Sequence, residues 1–224
     1  MAKTIAIVDY GAGNLRSIWK ALARVAAESS ADGTGPEVVV TMDPAVVAAA
    51  DAVVLPGVGA AGATMRHLEC HGLIAPVRQA ASSARPFLGV CLGLQLLFEA
   101  HEEDAAPGLG VLPGRARRLP GGLKVPHMGW NTVQPTSAAT PLLASPAPQD
   151  EQAADGDPYF YFVHSYYVEP APELAGAVAG TTAYGLQFCS LLAYRNIWAT
   201  QFHPEKSGAN GLRLLANFVR EVAA

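Results

Sequence analysis

The sequence has 224 residues, half of them hydrophobic and only 15% charged, with a formal net charge of −4. A globular domain usually carries about 25% charge, so this composition is under-charged, yet its apolar content excludes disorder for most of the chain. A single domain of this length buries about 70–75% of its unfolded surface and needs neither disulfides nor metal to hold a core.

The first half alternates short β-branched runs with helical spacing. Thr4–Val8 reads as a strand, and Asn14–Ala27 as a helix through Leu15, Ile18, Trp19 and Leu22. A strand over Val38–Thr41 and a short helix over Pro44–Ala50 follow. Next come a strand over Ala52–Leu55, the turn Pro56-Gly-Val-Gly59, and a helical stretch from about Gly62 to Ala84. Phe87–Val90 reads as a fourth strand and Leu92–Ala100 as a helix. Such alternation, with strands that are apolar throughout, implies a parallel sheet covered on both faces.

The second half differs. Pro107–Val133 is Gly- and Pro-rich hairpin material, in which Arg115-Ala-Arg-Arg118 reads as a solvated strand edge. Residues 136–158 are low in large apolar groups and read as a mobile surface loop. Strands return at Tyr159–Val163, Ala177–Thr181, Leu186–Leu192 and Ile197–Gln201, and Gly211–Val222 closes as an amphipathic helix. The expected fold class is α/β: one domain, 1–224, with a central, mostly parallel sheet, helices on both faces and additional antiparallel strands.

The uncharged apolar stretches Ala52–Met65 and Pro86–Phe98 are shorter than the roughly 20 residues a bilayer requires. An acid at Asp9 comes too early for a signal-peptide core. Cys70, Cys91 and Cys189 have no CxxC spacing, so neither a disulfide framework nor a zinc site is expected, and a cytoplasmic location is. The mildly acidic balance argues against nucleic acid as the main partner.

Candidate chemistry concentrates at a few points. In Gly89-Val-Cys91-Leu-Gly93 a buried strand ends on a cysteine and a helix follows at once, the glycine spacing of a nucleophile elbow. The helix start favours thiolate, and the Leu92 N–H can face an oxyanion. The alternative is a buried structural cysteine. His203-Pro-Glu205 can present an imidazole and a carboxylate from one extended segment, or it can be an ordinary turn. Leu55-Pro-Gly-Val-Gly59 can aim a second N–H at the site, or it can be a plain βα turn. Asp9-Tyr-Gly-Ala-Gly-Asn-Leu-Arg16 invites a dinucleotide-binding reading, but Arg16 occupies the third glycine position and no acid closes the second strand. Asn14 suits a helix N-cap instead.

Together these segments resemble the glutamine amidotransferases of the Cys-His-Glu triad class. They look most like the glutaminase subunits of imidazole glycerol phosphate synthases. The motifs are Asp9-Tyr-Gly-Ala-Gly-Asn-Leu15, Leu55-Pro-Gly-Val-Gly-Ala60, Leu88-Gly-Val-Cys-Leu-Gly-Leu-Gln-Leu-Leu-Phe98, Lys124-Val-Pro-His-Met-Gly-Trp-Asn131, Tyr161-Phe-Val-His-Ser-Tyr166 and Ala199-Thr-Gln-Phe-His-Pro-Glu-Lys-Ser207. The resemblance implies hydrolysis of glutamine through a thioester on Cys91, with His203 as acid/base and Glu205 orienting it. It implies an oxyanion hole from the Val58 and Leu92 amides, and glutamine binding by Gly59, Gln95, Glu103, His164, Ser165 and Tyr166. It implies a heterodimer whose partner, a (β/α)₈ cyclase, docks near Asn14, His127, Met128, Trp130, Tyr161 and Lys206. The ammonia would pass to that cyclase, which makes imidazole glycerol phosphate and aminoimidazole carboxamide ribotide in histidine biosynthesis. No cofactor and no metal are expected. Ala61 departs from the family's frequent Phe, and Val90 from its common Ile. A sister amidotransferase, a catalytically silent regulatory subunit and a stand-alone thiol hydrolase are the alternatives.

Overall fold

The computed structural model describes residues 3–11, 13, 15–29, 35–136, 141–143 and 156–224. In chain order the strands of the first half are β1 (Thr4–Val8), β2 (Glu37–Thr41), β3 (Ala52–Gly57), β4 (Phe87–Cys91), β5 (Phe98–His101) and β6 (Ala106–Pro107). Those of the second half are β7 (Leu112–Arg118), β8 (His127–Thr132), β9 (Gln134–Pro135), β10 (Tyr159–His164), β11 (Tyr166–Pro170), β12 (Val178–Ala183), β13 (Gln187–Tyr194) and β14 (Ile197–Thr200). The helices are α1 (Leu15–Glu28), α2 (Pro44–Ala49), α3 (Ala61–Cys70), α4 (Ile74–Ser82), α5 (Leu92–Leu96) and α6 (Gly208–Ala223).

Five strands in the order β2-β1-β3-β4-β14 are all parallel. Beyond β14 the sheet continues through β13, β11, β7, β5 and β6, antiparallel except where β5 runs parallel to β7. Both faces of the parallel part are covered, which explains the unbroken apolar runs. Ile5, Ile7, Val54, Leu88 and Val90 pack with the inner faces of α1 and α6. Ala6, Val8, Val53, Leu55 and Phe87, alternating with them, pack with α3 and α4 on the opposite face. Two cores therefore flank one sheet, and the side chains of the central strands β3 and β4 are buried on both faces.

The helical stretch expected from about Gly62 to Ala84 consists of two helices, α3 and α4. α3 stops at a Schellman turn: Gly72 lies at φ +66°, Leu73 N–H donates to Leu68 O at 2.8 Å, and Gly72 N–H to Glu69 O at 2.9 Å. Glycine reaches that left-handed conformation without a Cβ penalty, so the chain turns there rather than at a proline. The helix expected over Leu92–Ala100 also ends early, at Leu96. The loop after β6 captures its last carbonyls: Leu109 N–H donates to Leu96 O, and Val111 and Leu112 N–H to Leu97 O. Gly108 admits that loop, since a Cβ there would sit 1.9 Å from Phe98 O.

Two further expectations change. Arg115–Arg118 is not an edge, because β7 lies between β11 and β5. Its arginines are solvated and paired, Arg115 with Glu169 at 3.2 Å and Arg117 with Glu102 and Glu169, both at 3.1 Å. The strand β11 is an addition, started afresh after Ser165. The 136–158 segment lies largely outside the described residues. Within it, Pro141–Leu143 forms a 3₁₀ turn whose Leu142 is fully buried, and Asn217 of α6 donates to Leu142 O at 2.6 Å. The N-cap reading of Asn14 also lies outside the described residues. Among the described residues no helix is long and apolar enough to cross a membrane.

Candidate active site

β4 ends at Cys91, whose backbone stands at φ 55°, ψ −108°. A non-glycine residue held there is strained, and such strain persists only where packing fixes it. The packing is visible in the glycines. A Cβ on Gly93 would lie 1.9 Å from Leu55 O, and one on Gly57 2.5 Å from Gly93 N. The start of α5 is thus pressed against the end of β3, and the turn between strand and helix has no room to relax. The other cysteines contrast with this one. Cys70 is exposed on α3, while Cys189 is buried, donates to Leu191 O at 3.6 Å, and has its thiol pushed up to about 12 by desolvation.

His203 arrives from the next strand. β14 runs parallel to β4 with Thr200 opposite Val90, so the residues after β14 emerge beside Cys91. His203 Nδ1 donates to Glu205 Oε1 at 2.8 Å. Its backbone is pinned twice: His203 N–H donates to Tyr161 O at 2.9 Å, and Ser207 Oγ donates to His203 O at 2.6 Å. His203 Nε2 and Glu205 Oε2 are buried without a hydrogen-bond partner. Burial opposes an imidazolium here, but the interactions with Cys91 and Glu205 outweigh it and raise His203 above its ordinary value. The arrangement is a thiol, an imidazole and a carboxylate in series, as nucleophilic catalysis requires.

A cavity of about 320 Å³ opens over Cys91. Val58, Gly59, Leu92, Gln95, Glu103, His164, Ser165 and Tyr166 all line it, together with His203, Pro126 and Val163. A larger groove of about 650 Å³ lies elsewhere, between α3, α4 and residues 104–108, with no nucleophile in it. The Pro56–Gly59 turn is clasped from below. The buried Tyr10 hydroxyl donates to Pro56 O at 3.0 Å. Burial pushes this phenol up to about 12, while hydrogen bonds from Thr64 and the Val58 backbone pull the other way.

Gln95 and Glu103 are likewise engaged. Gln95 Nε2 donates to Tyr166 O at 2.9 Å and to Gln201 Oε1 at 3.1 Å, and Gln95 Oε1 faces His101 Nε2 at 2.9 Å. Glu103 Oε2 accepts from the Ala61 amide at 2.7 Å. Sequence reasoning missed Gln201, whose Nε2 donates to Cys91 Sγ at 3.6 Å, and His101. The strand register next to Cys91 is the signal that could have found Gln201.

Of the residues expected at a partner surface, Asn14 lies outside the described residues. Met128 and Trp130 are 62% and 57% exposed on β8, Tyr161 is half-buried on the paired strand β10, and Lys206 stands 5.9 Å above the Tyr161 ring. His127 is different: it points inward from β8 and is buried. His164 Nδ1 meets Tyr166 O at 2.8 Å and so carries the proton. Its Nε2 then accepts from His127 Nδ1 at 2.9 Å, and His127 Nε2 accepts from Asn131 at 3.3 Å. Both imidazoles are neutral: desolvation pushes His164 down to about 3 and His127 to about 4.

That pair predicts an acid limb in stability. Below the ordinary histidine value near 6.5 the unfolded chain takes up protons that the folded pair refuses, so stability present at pH 7 is lost as pH falls toward 4. Each histidine contributes a slope of up to about 1.4 kcal/mol per pH unit. Urea unfolding between pH 7 and 4.5 is expected to show it. His127→Gln, which can still donate to His164, should remove one proton from the slope.

Residues 6–222 match the family profile "Glutamine amidotransferase class-I". With a strained cysteine elbow and a His-Glu pair at the ends of adjacent parallel strands, the chain belongs to that family. Among its curated relatives it is 50% identical to the imidazole glycerol phosphate synthase subunit HisH of Synechococcus elongatus over 230 residues, covering 100% of this chain and 97% of that one. It is 49% identical to that of Aromatoleum aromaticum, covering 96% and 97%, and 46% identical to that of Methanothermobacter thermautotrophicus, covering 98% and 100%. Within the class, then, it is a member of the HisH family. Solved structures agree on the fold: a glutamine amidotransferase at TM-score 0.70 and 18% identity covers 98% of this chain and 99% of its own. The glutaminase domain of Trypanosoma brucei CTPS, at 0.58 and 13%, covers 97% and 94%.

Proposed function

We propose that this chain is the glutaminase subunit of an imidazole glycerol phosphate synthase and supplies ammonia for histidine biosynthesis. Cys91 Sγ attacks the side-chain amide carbon of glutamine, with the Leu92 and Val58 amides receiving the oxyanion. His203 delivers a proton to the departing nitrogen, which leaves as ammonia and forms a γ-glutamyl thioester on Cys91. Water then attacks the thioester with His203 taking its proton, and glutamate departs as Cys91 regains its thiol. Glu205 holds the imidazole orientation throughout. The observation that carries this reading is the alignment of strained Cys91 with the His203–Glu205 pair.

The partner is a (β/α)₈ cyclase, and the exposed β8–β10 ribbon is its docking face. The chemistry of that face favours the reading: Met128, Trp130 and Tyr159 are large apolar groups left to water, rimmed by Lys206. Trp130 and Tyr161 are directly paired across the ribbon. The same ribbon touches the chemistry, since Val163 O lies 3.8 Å from Cys91 Sγ and Tyr161 O accepts from His203 N–H. Docking on the ribbon thus acts on the site, and ammonia has a short way to the partner. The test is reconstitution of the chain with such a cyclase and rescue of a histidine auxotroph lacking this subunit. Product formed from glutamine is the expected result. A well-folded complex that makes product from ammonium salts alone would overturn the reading.

The Tyr10 clasp predicts how the subunit is kept quiet alone. Tyr10→Phe removes the donor to Pro56 O at the head of the Pro56–Gly59 turn. A net hydrogen bond of about 0.5–1.5 kcal/mol corresponds to a shift of about 2- to 12-fold in the loop equilibrium. Partner-free glutamate release is expected to rise by that factor, while turnover in the full complex changes little.

A further inference from the structure

We infer that Gln201 is a positioning residue for the nucleophile. Its side-chain amide, held in one orientation by a buried hydrogen-bond chain running from the Glu103 backbone through His101 and Gln95, directs a donor at Cys91 Sγ. This rests on the glutaminase reading only for its kinetic consequence; the geometry stands without it.

The orientation follows from the donors and acceptors in turn. The Glu103 backbone N–H can only donate, and it meets His101 Nδ1 at 3.0 Å. His101 Nδ1 is therefore the acceptor nitrogen and Nε2 carries the proton. His101 Nε2–H faces Gln95 at 2.9 Å, so the oxygen of the Gln95 amide must be on that side. The Gln95 nitrogen then has its two hydrogens directed at Tyr166 O and at Gln201. A donor arriving at Gln201 requires Oε1 there, which turns Gln201 Nε2 toward Cys91 Sγ at 3.6 Å. Reversing either amide would oppose two N–H groups inside the protein. Gln201, Gln95 and His101 are all buried, so no water can repair such a mismatch.

Burial lowers His101, in keeping with a neutral ring whose Nδ1 is free to accept. A buried donor on sulfur stabilises the thiolate over the thiol, and it does so in the resting chain before glutamine arrives. His203, His164, Glu103 and Tyr166 are the titratable groups that line the cavity with the sulfur, and Tyr10 acts on it through charge alone. The chain of bonds has a second consequence. It begins at Glu103, which also ties the Ala61 amide at the start of α3, just past the oxyanion turn. The nucleophile and the turn that must receive the oxyanion are anchored to the backbone and the side-chain end of one residue.

The test is iodoacetamide alkylation of Cys91 in the full chain across pH 6–10, in Gln201→Met, which keeps the length and loses the donor, and in Gln201→Glu. Alkylation at pH 7 is expected to fall about tenfold in Gln201→Met, the effect of losing one hydrogen bond to a charged group, and further in Gln201→Glu. The loss should close by pH 10, since that lies above the range of about 8–9 in which free thiols ionise. His101→Leu, which frees the Gln95 amide to turn, is expected to lower the pH 7 rate about threefold, a fraction of one such bond. With the partner present, kcat should drop in parallel while KM for glutamine stays within about twofold, as for a group acting on the nucleophile and not on substrate binding. Folded Gln201 variants that alkylate like the parent at pH 7, or whose loss persists unchanged at pH 10, would overturn the inference. The alkylation arm uses no glutamine, so a chain without glutaminase activity would defeat the functional reading and leave this measurement decisive.

Discussion

Cys91→Ser is expected to lower glutamine-dependent turnover in the reconstituted complex by on the order of 10⁴-fold or more, the scale seen when a nucleophile is removed from a catalytic triad. The substitution changes one atom in a site whose shape is set elsewhere. The elbow conformation at φ 55° is enforced by Gly93 and Gly57 against β3, so the serine takes the same place. What it cannot do is ionise. A thiol ionises far more readily than a hydroxyl, which must be deprotonated in the act of attack. Folding and assembly should be unaffected, since the contacts of the Cys91 sulfur to Val163 O and from Gln201 are weak. Product formation from added ammonium salt should survive in the complex, because that nitrogen bypasses this site. A variant retaining even a tenth of glutamine-dependent turnover would remove Cys91 from the mechanism.

The parts of this site that the sequence discloses are those where one local constraint implies one shape. Glycines two residues either side of a cysteine at a strand end leave few conformations except a tight elbow, and the structure has it. His-Pro-Glu is short enough that imidazole and carboxylate can meet, and they do so at 2.8 Å. The continuous apolar strands announce two covered faces because β1, β3 and β4 have no polar side to show. The ribbon is half legible. Its alternation puts Met128 and Trp130 on one face and His127 on the other, so His127 belongs with the buried His164 and not with the exposed residues beside it. Period two separates His127 from Met128 and Trp130, although all three share one motif.

The rest depends on contacts distant in the chain. α5 stops at Leu96 because amides from Leu109 to Leu112 take its carbonyls, and nothing within Leu92–Ala100 reports that. Gln95 carries a motif position that points to substrate, yet its amide is occupied by Tyr166, Gln201 and His101. Each of those partners comes from a different strand or strand end. Gln201 itself becomes visible only when β14 is laid parallel to β4, with Thr200 opposite Val90.

Gly93→Ala is the substitution expected to damage both fold and site. The added methyl would stand 1.9 Å from Leu55 O and 2.9 Å from Leu55 C, and both are backbone atoms of a central strand. No rotamer change relieves that. Either β3 shifts within a sheet paired on both sides, or α5 lifts away, and α5 is the softer of the two at five residues. Overpacking of this kind costs about 1–3 kcal/mol, and the backbone clash puts it at the upper end, so thermal unfolding should fall by about 6–12 °C. Lifting α5 by an ångström displaces Leu92 N–H and Cys91 Sγ relative to His203, which remains fixed through Tyr161 and Ser207. A misplacement of that size is worth about 10²-fold in rate. Gly89→Ala, whose methyl meets the nearest atom at 3.1 Å, should show a smaller loss of the same kind. Gly176→Ala, with nothing within 4 Å, should be silent. The ranking Gly93, Gly89, Gly176 in both melting temperature and Cys91 alkylation is the measurement. If Gly93→Ala melts and alkylates like the parent, close packing of α5 on β3 is not what holds the nucleophile.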